Sequence, residues 1–136
     1  MMFWRIWAAL LGSSLMIGET IRSWGQGRNL LFVLDDFCVG VPLVVTAILM
    51  ATPTPARWCA FCASYAATAG MLYGSFFDKL VDLSNPASSN IEIHFLTGLI
   101  GLAFVSSLVG LIASVRLSSR AQSGGGSRNM LPNKKG

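Results

Sequence analysis

Three groups of residues in this chain have types and spacing suited to chemistry. The densest lies in ETIRSWGQGRNLLFVLDDF, residues 19–37, which sets Glu19, Arg22, Arg28, Asp35 and Asp36 between two apolar runs. Two converging carboxylates raise each other's proton affinity, so Glu19 with Asp36 is a candidate proton or cation site. Arg22 and Arg28 are the nearest counter-charges, and with them the same residues can form a salt-bridge cluster that pins a helical hairpin. The paired arginines favour the hairpin. The second group is WCAFCA, which puts Cys59 and Cys62 on one helical face at the spacing of a redox couple or half a metal site. No second pair or nearby histidine completes a metal set, and small, buried, apolar cysteines are the expected state. The third group, Asp78, Asp82, Glu92 and His94, flanks a loop, where carboxylates with a histidine can bind a divalent cation. A solvated loop rim is the simpler outcome there.

The composition restricts what can hold these residues in place. Of 136 residues, 53% are hydrophobic and only 12% charged, against about 25% charged in a soluble domain. That deficit points to lipid as the solvent. The length suits one domain. Three cysteines do not make a disulfide framework. The net charge of +4 includes no basic cluster beyond a short Gly/Ser-rich tail, so nucleic acid is not an expected partner. No catalytic residue is assigned and no cofactor is expected.

A membrane helix needs roughly 20 largely apolar residues to cross a core of about 30 Å. Residues 37–56 and 58–77 are uncharged, and residues 93–115 carry only His94 as an ionisable group. The first run is weaker, uncharged over 6–18 between Arg5 and Glu19. No small-x-small cleavage pattern follows it, so a retained first helix is expected rather than a signal peptide. The expected fold is all-α, an integral membrane four-helix bundle with helices near 2–22, 30–51, 57–80 and 91–115 making one domain over 1–116. Ser89 and Glu92 have capping-box spacing, which starts the fourth helix near Asn90. Either the second helix begins near Leu30 with the Asp pair inside it, or it starts after Asp35, which then caps it and gains from the helix dipole. Pro42 removes the helical N–H partner of the Cys38 carbonyl and predicts a bend. Residues 117–136, basic and rich in Gly, Ser and Asn, are expected to be disordered.

Lys and Arg in short loops mark the cytoplasmic side. With both termini inside, that face holds Arg5, Arg57, Arg116, Arg120, Arg128, Lys134 and Lys135, against Arg22, Arg28 and Lys79 outside. All six acids then fall at or near the outer face. A multi-pass protein of a bacterial cytoplasmic (inner) membrane is the expected localisation.

Helices in lipid associate through small residues. Ala66, Gly70 and Gly74 on the third helix, and Ser106, Gly110 and Ser114 on the fourth, predict a compact left-handed bundle or an oligomer interface. On the first two helices, Glu19 shares a face with Ala8, Gly12 and Met16, and Asp36 with Gly40, Val44 and Ala47, so these two acids are expected to meet inside. The expected partners are the bilayer and either a membrane protein or a second copy of the chain.

Four helices with a glutamate in the first resemble small multidrug resistance transporters in architecture. In that family, however, the glutamate lies deeper and the charge bias is weaker. Quinone-linked thiol oxidases also combine four helices with C-x-x-C, but they need further outward-facing cysteines that this chain lacks. About 40 N-terminal residues, FWRIWAALLGSSLMIGETIRSWGQGRNLLFVLDDFCVG, resemble small bacterial inner-membrane proteins with a similar RSWG…DD hairpin. That resemblance implies no activity. A non-catalytic accessory or assembly subunit is the first expectation, ahead of a small proton- or cation-coupled transporter using Glu19 and Asp36. A thiol-redox protein using Cys59 and Cys62 comes last.

Overall fold

The apolar runs fold into α-helices that alternate in direction: α1 (Met2–Ser23), α2 (Leu30–Leu49), α3 (Pro55–Ser84) and α4 (Ile91–Gly126). This computed structural model describes residues 1–23, 30–84 and 91–126, with the side chains of 22, 30–33, 82, 84, 91, 92 and 124–126 outside that description. The described residues contain no strand, and the fold is all-α. The hinge between α2 and α3 is built from TPTPAR: Thr54 accepts the Arg57 N–H at 3.3 Å through its hydroxyl, and Pro55 takes the first helical position, where no N–H is needed.

α2 is one continuous helix through Pro42. It already includes Asp35, which therefore lies in the second turn and does not cap the helix; the five residues before Asp35, Leu30 to Leu34, are all apolar and extend the helix backwards. α4 continues to Gly126, eleven residues past the end expected at Val115. Leu117 still packs against the core, and Ser118, Ser119 and Ser123 bond back to carbonyls one turn earlier. Local back-bonding and good helix formers such as Leu, Arg, Ala and Gln thus outweigh the Gly/Ser composition that suggested disorder over 117–126. The capping box at Ser89 and Glu92 lies outside the described residues.

Packing depends on close approach at a few points. A Cβ on Gly12 would lie 2.8 Å from the Gly40 carbonyl oxygen, and one on Gly40 would lie 2.8 Å from Met16 Cγ, so α1 and α2 cross nearly backbone to backbone. On α4, Gly101 lies under the Phe76 ring and Gly110 under the Tyr65 ring of α3. The core combines Ala8, Leu11, Leu43, Ala47, Met50, Trp58, Phe61 and Tyr65, with the Phe61 and Tyr65 rings edge to face.

The interior also holds hydroxyls. Thr46, Ser64, Thr68, Thr97, Ser107 and Ser114 are all buried, while large apolar side chains along all four helices are exposed. Each buried hydroxyl reaches a carbonyl on its own helix, and no buried side-chain polar atom among the described residues lacks a partner. One helix among the described residues, α4 over Ile93–Ser123, is long and apolar enough to cross a membrane by length and composition.

Candidate functional site

The charges sort to opposite ends of the bundle. At one end two arginines satisfy the C-terminal carbonyls of α2. Arg5 Nε donates to Ala47 O at 2.9 Å, and Arg57 Nη1 donates to Leu49 O at 3.2 Å and to Thr52 O at 2.6 Å, with the Thr52 hydroxyl also against it. Cations are favoured there because the last carbonyls of a helix lack N–H partners and carry the negative end of its dipole. Tyr65 adds a third tie, donating to Trp4 O at 3.3 Å. None of these three roles follows from sequence spacing, because each partner lies on another helix or across the hinge.

Towards the other end lie Glu19 and Asp36. Glu19 is 8% exposed and accepts a 3.0 Å hydrogen bond from the Ser23 hydroxyl one turn on. Asp36 is half-buried on the face of α2 that carries buried Gly40 and Ala47, whereas Asp35 is exposed. Both Glu19 and Asp36 are engaged in polar or electrostatic interactions; Asp35 has no hydrogen-bond or ion-pair partner among the described residues. Gly40 packs against Met16, and from that contact Glu19 and Asp36 are each only about one turn away, so the two carboxylates reach the same level of the hairpin. Arg28 and the side chain of Arg22 lie outside the described residues.

Inter-helix contacts fix the depth of that level. Thr46 Oγ1 meets Ser64 Oγ at 3.3 Å. Ten residues along from this contact, Asp36 on α2 is level with Gly74 on α3. Phe76 on α3 packs over Gly101, which brings the same level to about Leu102 on α4. The apolar part of α4 then extends about 14 Å further on one side, to Ile93, and about 20 Å on the other, to Val115. The carboxylates therefore sit nearer the middle of that apolar length than its end, deeper than a position at the rim.

The other two groups do not assemble. Cys59 is exposed and Cys62 half-buried, its thiol 3.5 Å from the Ser114 hydroxyl; Cys38 is exposed, and all three are free. The expectation of buried cysteines is corrected accordingly: α4 meets α3 at Tyr65 through Gly110 and at Phe76 through Gly101, and with Ser114 beside its thiol Cys62 is covered only in part. Asp78 is exposed and pairs with its neighbour Lys79 at 3.3 Å, and His94 is exposed on α4. The side chains of Asp82 and Glu92 lie outside the described residues. Among the described residues no three His, Cys, Asp or Glu side chains come together as a metal site.

The small residues divide in a way their spacing does not reveal. Gly110 and Ser114 are buried, but Ala63, Ala66, Ala67, Gly70 and Gly74 are all exposed, and a Cβ on Gly70 or Gly74 would meet nothing within 4 Å. This leaves α3 with an outward face over which another helix could approach closely. No protein-family model, curated protein or solved structure matches the chain, so its geometry alone carries the functional reading.

Proposed function

We propose that this chain is a multi-pass inner-membrane four-helix bundle that serves as a non-catalytic accessory or assembly subunit. The observation that carries the reading is the outward small-residue face of α3, with Gly70 and Gly74 one turn apart and uncovered. In lipid, association gains from close backbone approach at such faces, since apolar side chains are no better buried against protein than against acyl chains. The membrane setting is supported by the large apolar side chains exposed along all four helices, and by Ser and Thr hydroxyls buried beside the apolar core. With α4 spanning, the uncharged stretch of α3 from 58 to 77 covers about 29 Å at the same depth. The start of α1 and the end of α4 lie on the arginine-rich side in this threading, as the bias of Lys and Arg to the cytoplasm favours. Exposed Asp35 points the same way, because a carboxylate at that depth needs a partner, and the described side chains of α1 and α2 do not supply one. In this reading Glu19 and Asp36 tie α1 to α2.

Co-purification from a mild detergent tests the proposal. A stoichiometric membrane partner or a homo-oligomer is expected, lost on Gly70→Leu/Gly74→Leu while the chain stays folded. A lone monomer in which that substitution changes nothing would sink it.

A second reading, a proton- or cation-coupled transporter, draws on the depth of Glu19 and Asp36, since ionisable groups well inside a bilayer commonly mark ion or proton routes. Cation-dependent proton flux in proteoliposomes, abolished by Glu19→Gln or Asp36→Asn at unchanged protein level, would replace the first reading with this one. Flux that is absent, or insensitive to both substitutions, removes it.

A further inference from the structure

We infer that the basic end of α4 is a contact site for the headgroup of an anionic phospholipid, an inference that rests on the membrane reading above. The outward face of α4 runs through Leu102, Val105, Val109 and Ile112 and then, without turning to another face, through Arg116 and Arg120. All six side chains are exposed. One helical stripe thus changes sharply from apolar to cationic, in the order in which a lipid presents acyl chain and then phosphate. The two arginines are one turn apart, so both guanidiniums can reach one phosphate or two neighbouring ones, with the donor geometry that suits phosphate oxygens.

Three further observations support this occupant. Neither guanidinium has a hydrogen-bond or ion-pair partner among the described residues, whereas Arg5 and Arg57 at the same end are turned onto the carbonyls of α2. Among the described residues no acid side chain lies at this end: Glu19, Asp35, Asp36 and Asp78 are all towards the other end of their helices. The helix is also held through this point, since Leu117 packs against the core and α4 remains helical to Gly126. The arginines are therefore presented at a fixed height, directly beyond the apolar face.

The test uses the full chain reconstituted in vesicles of one part phosphatidylglycerol to three parts phosphatidylcholine, with spin-labelled forms of each lipid reporting association. The wild-type chain should prefer phosphatidylglycerol by up to about 25-fold, less so at high salt. About fivefold of affinity per arginine is the expected scale, so Arg116→Gln/Arg120→Gln should bring the preference near parity. Lys134→Gln/Lys135→Gln should leave most of it. Millimolar inorganic phosphate should not compete; competition would make this a free-anion site and overturn the inference. So would a preference that survives in the arginine variant or disappears in the lysine variant. An alkaline carbonate wash of the vesicles separates the two levels of the argument. A chain released by the wash overturns the membrane reading and this inference with it, whereas a chain that stays inserted but shows no lipid preference overturns this inference alone.

Discussion

Gly12 and Gly70 are both helical glycines one turn from another small residue, and the sequence gives no reason to treat them differently. A methyl group added to Gly12 would lie 2.8 Å from the Gly40 carbonyl oxygen, while one added to Gly70 would meet nothing within 4 Å. The first glycine sets the distance between α1 and α2, and the second faces outward from α3. Helical glycine is costly relative to alanine by roughly 1 kcal/mol, and at Gly12 the close crossing offsets that cost. At Gly70 and Gly74 nothing among the described residues does. The contrast separates small residues that hold this bundle together from small residues available to something outside it.

The contrast can be broken or sharpened by substitution. The largest effect is expected at Gly12→Ala, which presses a methyl onto a carbonyl that cannot rotate away and should cost about 2–3 kcal/mol, read as a lower melting temperature in detergent. Gly110→Ala should cost about 2 kcal/mol, because the buried Tyr65 ring can give way only by loosening its bond to Trp4 O. If either variant is as stable as the wild type, the close crossings do not govern the packing. Thr46→Val should lose only about 0.6 kcal/mol, typical of a hydrogen bond between membrane helices, since Ser64 keeps its bond to Ala60 O. Gly74→Ala should be neutral or raise the melting temperature of the isolated chain slightly, while weakening whatever docks on α3. A destabilised Gly74→Ala monomer would mean that this face already has an occupant within the chain.

Much of the arrangement could be read in the sequence, for local physical reasons. Turn residues such as TPTPAR break helices wherever they occur, so the hinge after α2 and the start of α3 were visible. Faces follow from the 3.6-residue repeat, which set Glu19 with Ala8 and Gly12, and Asp36 with Gly40 and Ala47, before any helix was packed. The end of α4 was less legible, because Gly and Ser suggest disorder while the serine hydroxyls bond back into the helix. The cysteine pair misled for a different reason: spacing says that Cys59 and Cys62 share a face but not how much of that face a neighbour covers. The capping roles of Arg5 and Arg57 left no local signal, since their acceptors are carbonyls brought near by the fold.

By itself the sequence determined the helices, their order, the faces they present and the gathering of the acids towards one end, because these depend on spacing along one chain and on the preferences of nearby residues. Only the tertiary structure decided which small faces are used up internally, which arginines are bound to carbonyls and which are left outward, and how deep Glu19 and Asp36 sit. Those are relations between helices. They are set by where two backbones can approach, at Gly12 against Gly40 and at Gly110 under Tyr65, and no periodicity within one helix contains that distance.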